Sequence, residues 1–314
     1  MHRRFYVLLN PRSGTALATG VGPAALEEQF RAAGHEAVVD ADAEVSFAER
    51  LERARASDAE IIVAAGGDGT VTAVASAVVG TDKTLAILPL GTVNLLARDL
   101  AIPLELDQWM ATVGDMQPRR MDVGEVNGRI FLHKVVAGFI PALAAGREQI
   151  RGRHDIAAKI GYMRFFFRRL FRLRRMAVEI DEPNGGARIT RVVAVAVANN
   201  RYDEGLGRFF SRRRLDRGTL TLYLLKRLSF RDLVRLVVEM LLGRWRRDDA
   251  LEIESVDAVA IRTRKTRVKV MLDGEVETLD GPLRFTIRPA ALPVLAPVPP
   301  EAAEPAPAGA LAES

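Results

Sequence analysis

Short apolar runs alternate with helical patterns through the first hundred residues, and this alternation constrains the fold more than any other feature of the chain. The apolar runs have the length of buried strands, and each is followed by a segment with helical periodicity. That order is typical of parallel strands joined by crossover helices. The sequence therefore predicts an α/β domain with a parallel sheet over residues 1–122, with strands at Phe5–Leu9, Glu36–Val39, Glu60–Ala65 and Leu85–Leu88.

Helices are predicted between these strands. Ser46 and Glu49 have the spacing of a capping box, so a helix is expected to run from there to about Ala56. Phe47 and Leu51 would lie on its packed face. Further helices are predicted at Pro23–Ala33, Thr70–Val79 and Val93–Leu100.

The pattern changes after Asp122, where strand-like runs dominate and Asn-Gly and Asp-Gly turn signals separate several of them. We expect a second domain over residues 123–292, a mainly antiparallel β-sandwich with inserted helices. Residues 293–314 are rich in Pro, Ala and Glu and are expected to form a mobile tail. The predicted strands are Arg129–Val136, Met176–Ile180, Arg191–Ala198, Leu220–Leu225, Ala258–Arg262, Val268–Leu272 and Leu283–Ile287.

Composition excludes several classes of protein. The chain has no cysteine, which rules out disulfides and thiolate metal sites, and its four histidines show no metal-ligand spacing. No apolar stretch approaches the roughly 20 residues that a membrane-spanning helix requires. These features indicate a cytoplasmic protein that reaches a membrane only through its surface.

Three polar loops containing glycine follow predicted strands: Asn10–Gly14, Gly66–Thr70 and Leu90–Asn94. In an open parallel sheet, ligands bind beyond the carboxyl ends of the strands, where glycine lets backbone N–H groups approach phosphate oxygens. Asp68 would repel such phosphates unless a divalent cation lay between them, so the loop implies Mg²⁺. The alternative is that Gly-Gly-Asp-Gly is an ordinary turn.

The blocks NPRSG, GGDGTV and LPLGTVN, in this order and spacing, resemble the diacylglycerol kinase catalytic-domain family, which also covers sphingosine and ceramide kinases. GGDGT is shared with NAD kinases and phosphofructokinases, whereas the Pro-Leu-Gly-Thr-x-Asn block favours a lipid kinase. The resemblance extends through Met121–Gly124, Leu215–Gly218 and Leu272–Glu275.

The resemblance implies transfer of the γ-phosphoryl group of ATP to a lipid hydroxyl in a cleft between the domains. Diacylglycerol would give phosphatidic acid, and a sphingoid base or another lipid alcohol is a variant. Asp40, at the end of the second strand, is a weaker nucleotide-binding candidate that rests on spacing alone. The other implied nucleotide-binding residues are Asn10, Pro11, Ser13, Gly14, Gly66, Gly67, Asp68, Gly69, Thr70, Thr92 and Asn94.

The catalytic base implied by the resemblance is Glu275, and Asp68 would organise Mg²⁺ directly or through water. A carboxylate just after an Asp-Gly turn lies at a strand end, where it can reach across a cleft and accept a hydroxyl proton. A solvated hairpin acid is the alternative for Glu275. Asp122 is implied as a more distant support of the metal, and Asp216 is a weak metal candidate.

The chain departs from the family pattern at three positions. Leu95 replaces an aspartate that often follows the Gly-Thr-x-Asn block, and Thr15 stands where a lysine is frequent. Arg217 replaces the second aspartate of Leu-Asp-Asp-Gly. A guanidinium cannot ligate a cation, so we expect Arg217 to pair with a neighbouring acid instead.

The stretch Ile160–Met176 mixes aromatic residues and leucines with many arginines, a pattern that suits an interfacial helix on anionic lipid headgroups. The alternative is a helix packed on the second domain with a solvated basic face. Leu233–Leu242, which precedes Trp245, repeats the pattern more weakly and is expected to pack in the core. No nucleic-acid-binding module is recognised, and a homodimer is left open.

Two other functions remain open from the sequence. The first is a NAD kinase, although the Asn-Glu nucleoside-binding signature of that family is not found after the GGDGT loop. The second is a non-catalytic regulator that binds lipid or nucleotide, which Leu95 and Arg217 motivate.

Overall fold

The computed structural model describes residues 2–11, 13, 22–139, 141, 175–183, 186–203, 211–242 and 250–298. Helices in this part of the chain are α1 Pro23–Ala32, α2 Phe47–Ala56, α3 Asp68–Val78, α4 Leu95–Asp99, α5 Leu106–Thr112 and α6 Phe230–Leu241. Its strands are β1 Arg4–Leu9, β2 Glu36–Asp40, β3 Ile61–Gly66, β4 Thr84–Pro89, β5 Gln117–Val126, β6 Arg129–Phe131, β7 Lys134–Gly138, β8 Met176–Glu182, β9 Gly186–Val192, β10 Ala194–Asn199, β11 Leu220–Leu225, β12 Leu251–Val256, β13 Ala258–Thr263, β14 Arg267–Leu272, β15 Glu275–Asp280 and β16 Leu283–Ala296.

The N-terminal domain has the predicted parallel sheet, in the strand order β2-β1-β3-β4. Every residue of β3 is buried, as expected for a parallel strand covered on both faces. The capping box at Ser46 and Glu49 forms in both directions. The sequence therefore predicted all four strands of this parallel sheet, each to within two residues at either end.

Helix α4 begins two residues later than predicted. Asn94 adopts a left-handed conformation with φ of 52°, so the backbone cannot be helical at Val93 or Asn94. Local periodicity does not reveal this conformation, because Asn94 is held by side-chain hydrogen bonds to Gly91 and by its N–H bond to Asp68 in the second loop.

Strand β16 joins the two domains. Its first half pairs with β13 of the sandwich, and its second half pairs with β4 of the parallel sheet at Val294 and Leu85. Both halves also pair with β5, with a register shift between Arg288 and Leu292. One sheet therefore runs from the N-terminal domain into the C-terminal domain.

The mobile tail predicted from Pro293 is wrong for its first four residues. Val294, Leu295 and Ala296 are almost completely buried in the N-terminal core. Proline-rich composition indicated a tail, but the apolar residues between the prolines contribute to a core built from residues distant in sequence. Composition alone does not reveal such pairing.

The second sheet is antiparallel, in the strand order β12-β11-β10-β7-β14-β15, and it completes the predicted sandwich. The strand predicted at Arg129–Val136 is divided into β6 and β7. The division arises because the backbone N–H groups of Leu132, His133 and Lys134 all donate to the carboxylate of Asp273.

A buried ion pair between Asp99 and Arg212 fastens α4 to the C-terminal domain. Their side chains are 3% and 0% exposed, and Arg212 Nε lies 2.9 Å from Asp99 Oδ2. Arg212 Nη1 also donates to the carbonyl oxygens of Leu132 and Asn199, each at 2.7 Å. Burial raises the pKa of Asp99, while the charge and hydrogen bonds of Arg212 act in the opposite direction. The pair needs both partners to be tolerated in the interior.

We expect truncation after Leu292 to destabilise the protein by about 3–6 kcal/mol, because it removes the buried side chains of Val294 and Leu295. Urea unfolding monitored by tryptophan fluorescence measures the loss. Truncation after Val298 is the control and should leave the free energy of unfolding unchanged. Equal stability of the two truncated proteins would contradict the role of β16 in the N-terminal core.

Replacement of Asp99 by Asn should cost about 3–5 kcal/mol in the free energy of unfolding, because it leaves the Arg212 charge buried without a counter-charge. Denaturant titration measures this cost. Arg55→Ala, which breaks the exposed pair with Glu52, is the matched control and should change stability by less than about 1 kcal/mol. Similar effects of the two substitutions would argue against the buried pair as a structural requirement.

Stability should also fall in acid because of His133. Arg212 Nη2 lies 2.8 Å from His133 Nδ1, and burial followed by the Arg212 charge holds the pKa of His133 well below 6.5. The unfolded chain then binds a proton that the folded chain excludes, so stability decreases as the pH falls below about 6.5, by up to about 1.4 kcal/mol per pH unit. Urea titrations at several pH values should show a smaller slope for His133→Gln. Identical slopes would contradict a neutral buried His133.

Candidate functional site

The loops after β1, β3 and β4 lie side by side at the carboxyl ends of these strands. Asn10 donates its backbone N–H to the carbonyl of Ala65 at 2.9 Å, and its side-chain Nδ2 donates to Thr70 Oγ1 at 3.1 Å. Ser13 closes the first loop by donating Oγ–H to the carbonyl of Asn10 at 2.9 Å. The three loops predicted from the sequence therefore form one surface.

Glycine is required at two positions of these loops. A Cβ on Gly66 would lie 2.5 Å from Thr70 Oγ1, and a Cβ on Gly91 would lie 2.5 Å from the Cα atom of Gly67. Neither distance is tolerated by a real side chain. Gly66 thus leaves room for the Thr70 side chain within the second loop, and Gly91 permits backbone-to-backbone packing of the third loop on the second.

These loops line a cavity of about 410 Å³. Among its lining residues are seven that the sequence predicted, namely Asn10, Ser13, Gly67, Gly69, Thr70, Thr92 and Glu275. Phe47 also lines the cavity, although its position in the helical pattern had indicated a packed face. Gly69 and Thr70, in the first turn of α3, both line the cavity. The N-terminal end of this helix therefore adjoins the cavity and favours an anion there.

Glu275 lies across the cleft from α3. It is the first residue of β15 and is exposed. One of its carboxylate oxygens would be 2.7 Å from a Cβ built on Gly69. A carboxylate of the C-terminal domain is therefore next to the first turn of the helix that follows the GGDGT loop.

A second cavity of about 480 Å³ lies on the other side of Glu275. It shares Gly69, Ala73 and Glu275 with the first cavity. Its remaining lining residues include the apolar Val79, Ile130 and Leu272, the basic Arg129 and Arg288, and the acidic Asp273 and Glu277, and Arg129 pairs with Glu277. Glu275 thus stands where the two cavities meet.

Asp273 holds the turn that presents Glu275. Its carboxylate accepts the N–H groups of Leu132, His133 and Lys134 at 2.6, 2.9 and 2.9 Å, and its own φ is 46°. Burial raises the pKa of Asp273, although the three backbone donors lower it. The sequence placed Asp273 in a motif but gave no signal for this anchoring role.

Asp68 is hydrogen-bonded by both carboxylate oxygens. Oδ1 accepts the N–H of Leu95 at 2.7 Å, and Oδ2 accepts the N–H of Asn94 at 3.1 Å. The carboxylate therefore caps the start of α4 and ties the second loop to the third.

These hydrogen bonds use one lone pair on each Asp68 oxygen and leave the other available, so the predicted contact of Asp68 with Mg²⁺ stays a prediction. Within the described ranges, no group of three or more His, Asp or Glu side chains is arranged to hold a metal ion. Mg²⁺ that arrives with a nucleotide needs only one or two carboxylates beside the phosphates.

Asp40 lies outside both cavities. Its carboxylate accepts from Arg50 Nε at 2.7 Å and from the hydroxyl of Tyr6 at 3.1 Å. Burial would raise the pKa of Asp40, but the N–H of Asp42 and the Arg50 guanidinium outweigh it, so the net pKa is lowered. Asp40 thus anchors α2 to the sheet, which differs from the nucleotide contact predicted by spacing.

Asp122 and Asp216 do not line the loop cavity. Asp122 is 1% exposed and accepts the N–H groups of Gly218 at 2.6 Å and Ala290 at 2.8 Å. Its hydrogen bonds join β5 to the segment before β11 and to the bulge of β16, and its predicted support of a metal stays a prediction. Asp216 is exposed and lies 3.2 Å from Arg214.

Arg217 pairs with an acid, as expected for a guanidinium at this position. Its Nη2 lies 3.6 Å from Asp203 Oδ1. Gly14 and residues 160–174 of the predicted interfacial helix lie outside the described residues. Pro11 is described and exposed, but it is not among the residues that line either cavity.

Two families of known proteins match the chain, one after the other. Residues 4–126 match the diacylglycerol kinase catalytic domain, and residues 142–296 match the YegS C-terminal NAD kinase beta sandwich-like domain. No helix among the described residues has the length and apolarity needed to span a bilayer.

Curated relatives cover most of the chain. A probable lipid kinase YegS-like of Pseudomonas fluorescens is 30% identical over 272 residues, which are 85% of this chain and 88% of the relative. A diacylglycerol kinase of Staphylococcus epidermidis is 31% identical over 141 residues, 44% of each chain.

Among solved structures, a putative diacylglycerol kinase from Bacillus anthracis superposes with a TM-score of 0.71 at 22% identity, covering 94% of this chain and 97% of that one. At this identity the likeness concerns the fold alone. The two matched domains and the relatives that align over most of their length together show that the chain belongs to the diacylglycerol kinase catalytic-domain family of lipid kinases.

Proposed function

We propose that the protein transfers the γ-phosphoryl group of ATP to the hydroxyl of a membrane lipid, with diacylglycerol as the first candidate acceptor. One observation carries this proposal. Glu275 lies between a cavity lined by the glycine loops and a second cavity lined by both apolar and charged side chains. Donor and acceptor can therefore meet at a single carboxylate.

The loop cavity is the proposed ATP site. Glycine backbone at Gly67, Gly69 and Gly91 leaves room for phosphate oxygens, and Thr70 and Thr92 offer hydroxyl groups. The N-terminal end of α3 adds the positive end of its dipole. Mg²⁺ would accompany ATP as the counter-ion of its phosphates, and we assign it no ligand from the protein.

Glu275 is the proposed general base. As the lipid hydroxyl oxygen forms a bond to the γ-phosphorus, the bond from that phosphorus to the β,γ-bridging oxygen breaks and ADP leaves. The Glu275 carboxylate would accept the hydroxyl proton during this step. Three backbone donors hold Asp273 and thereby fix the turn before Glu275, which supports a defined position for the base.

The second cavity is the proposed path of the acceptor. Ile130 and Leu272 provide apolar contacts for the part of the lipid nearest its hydroxyl. The curated relatives carry the names probable lipid kinase and diacylglycerol kinase, which supports a lipid alcohol as acceptor. A sphingoid base is the alternative within the same chemistry, and NAD is the alternative outside it.

Labelled ATP and Mg²⁺, offered with diacylglycerol, a sphingoid base or NAD, test the proposal. We expect label in a lipid product, and Glu275→Gln should lower kcat by about 10²–10⁴-fold because the amide cannot accept the proton. Asp280→Asn, a change of carboxylate to amide at the other end of β15, is the control and should retain activity.

Asp68→Ala should raise KM for ATP because it frees the third loop.

Two outcomes would count against this function, and a third would count against the role of Glu275 alone. Label in NAD but not in lipid would indicate a NAD kinase. Tight binding of ATP or lipid without turnover would indicate a regulator. Full activity of Glu275→Gln would exclude Glu275 as the base while leaving the reaction in place.

A further inference from the structure

Helix α6 lies on the outer face of the six-stranded sheet of the C-terminal domain. Leu236, on its inner side, packs against a small apolar cluster that includes Tyr202 and Tyr223. Ser229 caps the helix by accepting the N–H of Asp232 at 3.2 Å, and the Asp232 carboxylate accepts the N–H of Ser229 at 2.9 Å. The helix is thus fixed on the sheet through one side.

The opposite side of α6 carries a continuous exposed apolar stripe. Its spacing of i, i+3, i+4, i+7 and i+8 places all five members on one helical face. The sequence had predicted core packing for this segment, and the observed exposure corrects that prediction. The exposed residues are Val234 47%, Val237 47%, Val238 46%, Leu241 53% and Leu242 53%.

Helical periodicity alone could not show which apolar side of α6 is buried and which is exposed. A helix that is apolar on both its inner and outer sides has more apolar surface than one sheet can cover. Only the packing shows that Leu236 takes the sheet-facing position and that the stripe faces outward. Large exposed apolar stripes of this kind mark interaction surfaces.

Basic side chains flank the stripe. Residues 226–242 contain four basic and two acidic residues, which gives the segment a net positive charge. Both acids face basic neighbours, since Asp232 lies 3.5 Å from Arg235 and Glu239 lies 4.0 Å from Arg235. Arg227 and Arg231 are exposed, although Arg227 also lies 3.8 Å from Asp232, and Lys226 pairs with Glu252 of β12. The exposed guanidinium groups of Arg227 and Arg231, which precede the stripe along the chain, suit an anionic partner.

The stripe is linked to the catalytic cleft through the sheet beneath it. The Tyr202 ring under α6 lies 5.3 Å from Lys134 Nζ, and the backbone N–H of Lys134 donates to Asp273. Asp273 in turn precedes Glu275 by two residues. A partner bound to α6 is thus held against the same sheet that carries the proposed base.

We propose that the exposed face of α6 docks the protein on an anionic lipid bilayer, a proposal that rests on the lipid substrate inferred above. Aliphatic side chains with basic neighbours are the pattern of helices that lie in the plane of a membrane surface. Valine and leucine would insert between the acyl chains, and Arg227 and Arg231 would meet the phosphates. This surface differs from the predicted interfacial helix at 160–176.

The test uses the full chain and the double variant Val234→Gln/Val238→Gln, which changes exposed positions only. Sedimentation with vesicles of phosphatidylcholine, with and without phosphatidylglycerol, measures docking. We expect wild type to bind the anionic vesicles preferentially and the double variant to bind at least about tenfold more weakly. Val38→Gln/Ile189→Gln is the matched control, since both residues are more exposed than the stripe valines, at 59% and 76%.

Activity separates docking from catalysis. The double variant should lose activity toward long-chain diacylglycerol in vesicles but keep wild-type activity toward a short-chain diacylglycerol in true solution. If wild type phosphorylates neither lipid, the proposed function fails, while the sedimentation result still decides the docking surface.

Two results would overturn the docking proposal. One is vesicle binding that the double variant does not weaken, or that wild type lacks at both compositions. The other is a concentration-dependent dimer in sedimentation velocity that the double variant abolishes while vesicle binding is unchanged, because the stripe would then bind a second copy of the chain.

Discussion

The cleft depends on the neutralisation of one buried charge. The Arg212 side chain is completely excluded from solvent, and a guanidinium in that environment is tolerated only when a counter-charge and hydrogen-bond acceptors surround it. Asp99 provides the counter-charge from α4, and the carbonyls of Leu132 and Asn199 provide acceptors from the C-terminal domain. Loss of the pair would therefore disturb the position of one domain relative to the other.

The segments that the Asp99–Arg212 pair joins are also held by carboxylates on both sides of the cleft. On one side, α4 begins at the loop that Asp68 holds through two backbone N–H groups. On the other side, Leu132 donates its N–H to Asp273, which fixes the turn before Glu275. Each carboxylate thus acts on backbone donors of a different segment, where charge-assisted hydrogen bonds are strong. The glycine loops and the proposed base are positioned by one connected set of contacts.

This organisation changes the meaning of the acidic residues in the motifs. The sequence predicted Mg²⁺ at Asp68 because phosphates would repel a bare carboxylate, and the family resemblance implied Asp122 as a more distant support. Each of these aspartates accepts two backbone N–H groups from other segments. An aspartate that caps a loop and one that ligates a cation look identical in a sequence, because both roles require a short acidic side chain next to glycine. Leu95, the departure that weakened the predicted metal network, contributes a backbone N–H to Asp68, a bond that does not depend on its side chain.

The sequence by itself determined the parallel sheet, the sandwich and the loops that meet in one cavity, because these follow from local periodicity and from glycine at strand ends. Only the tertiary structure decided that Val294, Leu295 and Ala296 complete the N-terminal core, that Asp40 pairs with Arg50, and that α6 exposes an apolar stripe. In each of these cases the outcome depends on which surface distant segments cover. A residue's own neighbours in the chain determine whether it can form a strand or a helix, but not whether its side chain is buried, paired or left facing solvent.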